Sequence, residues 1–513
     1  MTTAAGPGLR RRWDRQVLRL SALLDGEKAD RLLPWVLTGI TFAVLVALDA
    51  AAVRSLDGGS GLGPWLQAAW RRQHGWEGVP VGGVDPAHGA WSFVAEPVLW
   101  LTRFVPPEAL FTTVQAAAIA LAVVPLWRLA RDDAHLRVGA SVVVAVAFVL
   151  APTLHRTNLS SFHPEAIALP ALLWAYLFAC HERWRGYAAL VLLVLACRAD
   201  LGLTVAALGA VVAMQGRRFQ GLVTAGVGLV WSVAAVAVLD PAVPDQGLTP
   251  AGEFVARATT PLAVLPRLLT HPISQIRELL AEPSVLFLVV VLAPLLFLPL
   301  VSPRKLVVAV PGLALAMIAD GSVQRVAQEG VLDLSPAAAH IAPALAFVFV
   351  ALVYALERIG ELSVTRVNVD RRVLIALLAG ASLFFVTEAP SSPYRQPWAW
   401  GSRDVVDRAR LLAADRIGRT QAVGVSPAAT ALVAERAHLV ELPPDPVDLT
   451  SGRVAAVAGE VDVILLDTAD VDGPGDDAVW TDQRRRLVLR RFATHGFRPS
   501  FEAQGVFVLE RTD

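Results

Sequence analysis

Apolar runs of membrane-spanning length recur up to about residue 388, and they constrain this chain more than any other feature. They lie at 34–53, 110–127, 138–154, 165–180, 187–197, 201–214, 221–239, 284–301, 306–319, 337–356 and 373–387. A helix rises about 1.5 Å per residue and the hydrocarbon core of a bilayer is about 30 Å thick, so most of these runs match a crossing. The 513 residues are 55% hydrophobic and 18% charged, where a soluble chain is about a quarter charged. The class is therefore a polytopic α-helical membrane protein, with about 9–11 transmembrane or re-entrant segments. The net charge of +0 and the lack of any nucleic-acid motif argue against a nucleic-acid partner. Cys180 and Cys197 sit in or beside apolar runs, and no CxxC or Cys/His spacing suggests a metal.

Arginine placement orients the spans. Residues 1–33 carry Arg10, Arg11, Arg12, Arg15, Arg19, Lys28 and Arg31, so the N-terminal segment is expected in the cytoplasm. The other inside loops then hold Arg128, Arg131 and Arg137, Arg183 and Arg185, Arg217 and Arg218, Arg304 and Lys305, and finally Arg358, Arg366, Arg371 and Arg372. Segments 187–197 and 201–214 are each too short to cross. They form either a shallow hairpin or one long helix holding Arg198 and Asp200. The hairpin keeps the arginine pattern downstream and is preferred. The membrane domain then covers 34–388, with an outer loop at 54–109. Residues 389–513 alternate helical stretches (404–416, 482–495) with strand-like runs (421–425, 461–466, 505–509), which predicts a small extracytoplasmic α/β domain. Its acidic stretch 467–477 lacks the ligand spacing of a calcium loop and reads as a solvated turn.

In this frame several ionisable residues gather at the outer face. His163 and Glu165 open the fourth span in SSFHPEAIALPALL. Arg198 and Asp200 stand at the tip of the hairpin in CRAD. His88, Asp85 and Glu96 lie in the first outer loop, and His340 opens the tenth span. Charge at membrane depth is costly unless paired or hydrated, so such a gathering reads as a site. Capping of the helix behind Pro164 accounts for Glu165 alone, and not for His163 or the paired serines. Arg198 and Asp200 have a second reading, as a hydrogen-bonded pair that holds the hairpin tip. His340 has one too, as an interfacial side chain. Trp65, Trp70, Trp76 and Trp91 in the outer loop are expected to mark the membrane interface, with sugar stacking as the alternative.

Several stretches together resemble one family of bacterial multi-span membrane proteins catalogued as a domain of unknown function. They are GLGPWLQAAW at 61–70, the segment from His88 to Pro107, SSFHPEAIALPALLWA, ACRADLGL, PLLFLPLVSPRKLVVAVPGLAL and AAAHIAPALAFVFVALVYAL, joined by VDVILLD and GVFVLER near the end. That family is similar to the membrane glycosyltransferases of the C-type (GT-C) fold. The resemblance implies a GT-C-like fold in the bacterial cytoplasmic membrane, a polyprenyl-phosphate-linked sugar donor and an acidic general base in the first outer loop. It also places Gln67 in the substrate region. Two acidic positions of the family pattern are Gly61 and Leu66 here, and its Lys-Glu-Asp is Arg198-Ala199-Asp200. The base is then Asp57, Asp85 or Glu96, or there is none.

Inverting transfer needs a carboxylate to take the acceptor's proton and donors to hold the leaving phosphate. Asp85, Glu96 and Glu165 are the candidate catalytic groups; Gln67, His88, His163, Arg198, Asp200 and His340 are the candidate binding groups. Arg198 suits a phosphate because a guanidinium matches it bidentately. Glu165 or Asp200 could bind a divalent metal ion that bridges the phosphate, or orient the histidines. Partners expected are the lipid-linked donor, membrane lipids and a cell-envelope partner for the C-terminal domain. The competing reading is a catalytically silent relative acting as a scaffold or as a lipid-binding or transport protein.

Overall fold

The computed structural model describes residues 27–56, 60–75, 86–89, 91–239, 282–319, 341–363, 365–395, 397–443, 446–469 and 480–512. Helix α1 (Glu27–Arg54) is 28 residues long, or about 42 Å. A 3₁₀ turn (Ser60–Leu62) leads into α2 (Gly63–His74), followed by the short α3 (Pro86–Gly89) and α4 (Ala95–Leu101). Helices α5 (Pro107–Leu121) and α6 (Val123–Arg128) run on through a π-helical turn at Leu129–Asp133, and α7 (Val138–Val149) and α8 (Pro152–Ser160) follow. Among the described residues five helical stretches are long and apolar enough to cross a membrane, and four shorter apolar helices accompany them.

The two short segments are separate helices, α10 (Trp184–Cys197) and α11 (Leu201–Met214), after α9 (Ala168–Cys180). Arg198 between them is extended, with φ −164°, so the single long helix does not form. Helix α12 (Arg218–Leu239) lies against α11 through glycines. A Cβ on Gly209 would stand 2.3 Å from the Ala225 nitrogen, and one on Gly221 2.3 Å from that of Ala213. Small residues allow this approach where lipid supplies no hydrophobic drive between helices.

The run 284–301 does not form one span. Helix α13 (Glu282–Leu292) ends early, and 3₁₀ turns at Ala293–Leu295 and Leu298–Val301 carry the chain to α14 (Pro303–Leu306) and α15 (Val310–Ala319). Leu296 and Phe297 between the turns are both left-handed, with φ 53° and 56°, a conformation that costs non-glycine residues energy. Helix α16 (Ala342–Ile359) is the centre of the bundle, and all but a few of its residues are buried. A two-stranded ribbon, β1 (Glu361–Ser363) and β2 (Arg366–Asn368), joins it to α17 (Arg371–Glu388).

The remaining elements build a mixed sheet: α18 (Val405–Asp415), β3 (Val423–Val425), β4 (Leu439–Glu441), α19 (Ser451–Glu460), β5 (Val463–Asp467), α20 (Asp482–Ala493), β6 (Phe497–Ala503) and β7 (Val506–Arg511). The order is β4-β3-β5-β7-β6, with β3 parallel to β4 and β5, and β7 antiparallel to β5 and β6. Helix α18 starts on a capping box between Asp404 and Asp407, which satisfies two otherwise orphaned donors. Its Ala409 and Ala413 pack on one face of the sheet with Val425 and Leu465. Val454 and Val457 of α19 and Phe492 of α20 cover the other. Glu441, at the end of β4, is buried with its Oε2 unpartnered among the described residues. Burial pushes its carboxyl up to about 7.

Candidate functional site

The site forms where three chain breaks meet. Helix α8 ends at Ser160, and Ser161 is extended. His163 is extended as well, and Pro164 starts a 3₁₀ turn through Ile167 that runs into α9. Proline suits this first position because its missing N–H has no helical partner there. The third break is Arg198–Asp200, between α10 and α11.

His163, Glu165, Arg198 and Asp200 are brought together, each less than a tenth exposed. His163 Nε2 lies 2.9 Å from Ser160 Oγ and 3.3 Å from Ser161 Oγ. Its Nδ1 lies 3.3 Å from Glu165 Oε1. Arg198 Nη1 donates to Glu165 Oε1 at 3.0 Å, while its Nε and Nη2 grip both oxygens of Asp200. The result is a buried relay from serine hydroxyls through imidazole and carboxylate to guanidinium and a second carboxylate. With His163 neutral it carries one net negative charge; protonation of His163 balances it. Such pairing is what makes buried charge tolerable.

Gln115 on α5 locks this geometry. Its Oε1 accepts the His163 N–H at 2.6 Å, and its Nε2 donates to the carbonyls of Thr157, Asn158 and Ser161 at 2.7, 3.0 and 2.7 Å. Sequence reasoning missed Gln115. The available signal was a lone amide inside the apolar run 110–127.

The other expected site residues lie elsewhere. Glu96 is surface-exposed and ion-paired with Arg72 at 2.5 Å, outside the relay. Gln67 is buried, and its Nε2 donates to the Arg436 carbonyl at 3.4 Å, so it faces the sheet unit. His88 falls in α3. Asp57, Asp85, Trp76 and His340 lie outside the described residues, as does most of the acidic stretch 467–477. Trp65 is no interface anchor: it is buried on Phe162 and Phe111. Trp91 packs against Trp231, with ring centres 5.0 Å apart. Glu165 and Asp200 are both turned to Arg198, and among the described residues no three His, Cys, Asp or Glu side chains are grouped so as to hold a metal ion. This arrangement does not fit a divalent ion between the two carboxylates.

The segment after α1 joins the relay to the sheet. Gly61 lies so close to Ser161 that a Cβ there would stand 2.5 Å from the serine Cβ. At Gly63 it would stand 2.4 Å from Thr430 Cγ2, in the 3₁₀ turn that follows β3. At the opposite end of the bundle, Arg131 is 1% exposed and pairs with Asp30 at 2.7 Å. There too Lys305, in the SPRK stretch, lies over the rings of Tyr176 and Tyr354, 4.9 and 4.3 Å from their centres.

These features define a class: a polytopic helical membrane protein with a buried charged relay at one end of its bundle and a five-stranded mixed sheet after it. Residues 87–508 match the family model described as "Predicted membrane protein (DUF2079)", and the chain belongs to that family. No curated protein matches the chain.

Proposed function

We propose that this protein is a GT-C-like membrane glycosyltransferase that uses a polyprenyl-phosphate-linked sugar at the outer face of the cytoplasmic membrane. One observation carries the reading: His163 stands between a hydroxyl at 2.9 Å and a carboxylate at 3.3 Å. This is the placement of a general base that takes a proton from a hydroxyl while a carboxylate fixes its tautomer. In this reading the acceptor hydroxyl replaces Ser160 Oγ beside Nε2, His163 takes its proton, and Glu165 holds the imidazolium. The leaving phosphate approaches Arg198 and competes with Glu165 and Asp200 for its N–H groups. The outer-face assignment is supported by the basic residues Arg131, Arg217, Lys305 and Arg366, which lie toward the other end of the bundle.

A second reading, a catalytically silent scaffold, is favoured by the closure of Arg198 on two carboxylates. Native mass spectrometry of the purified protein with polyprenyl phosphate separates the two. Binding by the wild type that Arg198→Ala weakens, with the fold intact by circular dichroism, supports the transferase. No binding, or binding indifferent to the substitution, removes it in favour of the scaffold.

A further inference from the structure

Beside the relay lies a second polar feature with a different character. Asp49 sits in α1, five residues before its end, and is 4% exposed; its Oδ2 is buried and has no partner among the described residues. Asn158 on α8 is 2% exposed, and its Oδ1 is likewise buried and unpartnered. Its Nδ2 donates to the Leu45 carbonyl at 3.3 Å. That contact sets the amide one helical turn from Asp49 and leaves its oxygen as the free end. Both residues line a small cleft, together with Thr112, Gln115 and Ser161.

The lining is rich in acceptors and poor in donors. The Gln115 amide N–H groups are spent on three carbonyls. The Thr112 hydroxyl proton goes to the carbonyls of Glu108 and Ala109, which leaves its oxygen lone pairs available. Among the described residues no arginine or lysine borders the cleft. A buried carboxylate and a buried amide oxygen without donors each cost free energy. An occupant that offers positive charge to several oxygens at once removes both costs. Oxygen-only ligation selects a hard cation, and one carboxylate balances one positive charge.

We propose that Asp49, Asn158 and the hydroxyls of Thr112 and Ser161 form a binding site for an alkali-metal cation. The site is separate from the glycosyl-transfer chemistry and does not depend on it. It touches the relay only through Gln115 and Ser161.

The test is thermal unfolding of the full-length protein in detergent at pH 8 and constant ionic strength, in choline chloride against NaCl, KCl and LiCl. The expected result is a saturable rise of several degrees in Tm with one alkali cation over choline. Asp49→Asn abolishes it and Asn158→Ala reduces it. Equilibrium binding of radioactive sodium or rubidium to the wild type provides a readout that no variant's folding affects. A choline-to-alkali shift of zero overturns the proposal. So does a shift that Asp49→Asn retains, an absence of saturable isotope binding, or an acid stabilisation in choline that Asp49→Asn removes and Glu441→Gln keeps. The last outcome would mean that Asp49 simply carries a proton.

Discussion

Glu441 makes the stability of the sheet unit depend on pH with an unusual sign. Its carboxyl is 3% exposed, and burial raises it from 4.5 to about 7. The folded state therefore holds this proton more tightly than the unfolded chain does. The contribution is fully present below about pH 4.5 and is lost as pH rises through about 7. A displacement of some 2.5 units at about 1.36 kcal/mol each gives a loss of about 3 kcal/mol once the group is ionised. Hydrogen exchange of the full-length protein, read by mass spectrometry over residues 423–441 and corrected for intrinsic rates, measures the local opening. Protection of β3 and β4 should fall between pH 5 and pH 8 by up to about two orders of magnitude, and Glu441→Gln should flatten the profile and leave the strands better protected at pH 8. A Glu441→Gln profile that still falls with pH as the wild type's does would refute the assignment.

Two further outcomes follow from packing and charge. Glu165→Ala leaves Arg198 and His163 without their shared acceptor at a nearly dry site, and should cost about 3–5 kcal/mol; Glu165→Gln, which keeps an acceptor oxygen, should cost clearly less, as read by thermal unfolding. Gly63→Ala drives a methyl into Thr430 and should cost about 1–3 kcal/mol; adding Thr430→Ala, which removes the Cγ2 contact and keeps the Cβ, should recover part of it, a coupling that a double-mutant cycle measures.

The legible parts of this molecule were those where hydropathy or charge cost dominates. The helix break at Arg198 could be anticipated because neither 187–197 nor 201–214 can span alone. His163, Glu165, Arg198 and Asp200 stood out because ionisable groups at membrane depth need partners, and they are one another's partners. The turn after Leu292 was invisible because 284–301 is apolar throughout, and hydropathy does not register the left-handed backbone at Leu296 and Phe297. Strand β4 is three residues long and ends in a glutamate, so it offers no alternation to read. Gln115, Asp49 and Asn158 are single polar residues whose importance comes from neighbours distant in sequence. Glu96 shows the converse: its charge looked functional in the outer loop, yet Arg72, on a helix 24 residues earlier, neutralises it at the surface.

The segment Ser60–Leu62 with the start of α2 acts mechanically as a strut. One end bears on Ser161 through Gly61, and the other bears on Thr430 through Gly63, two residues along. Neither contact has slack, and close-packed interiors transmit strain instead of absorbing it. A displacement of Ser161 at the relay would bear first on Gly61 and, two residues along, on the contact of Gly63 with Thr430. The push arrives at the 3₁₀ turn behind β3. Occupancy inside the bundle and the posture of the sheet are, on this geometry, two readings of one displacement.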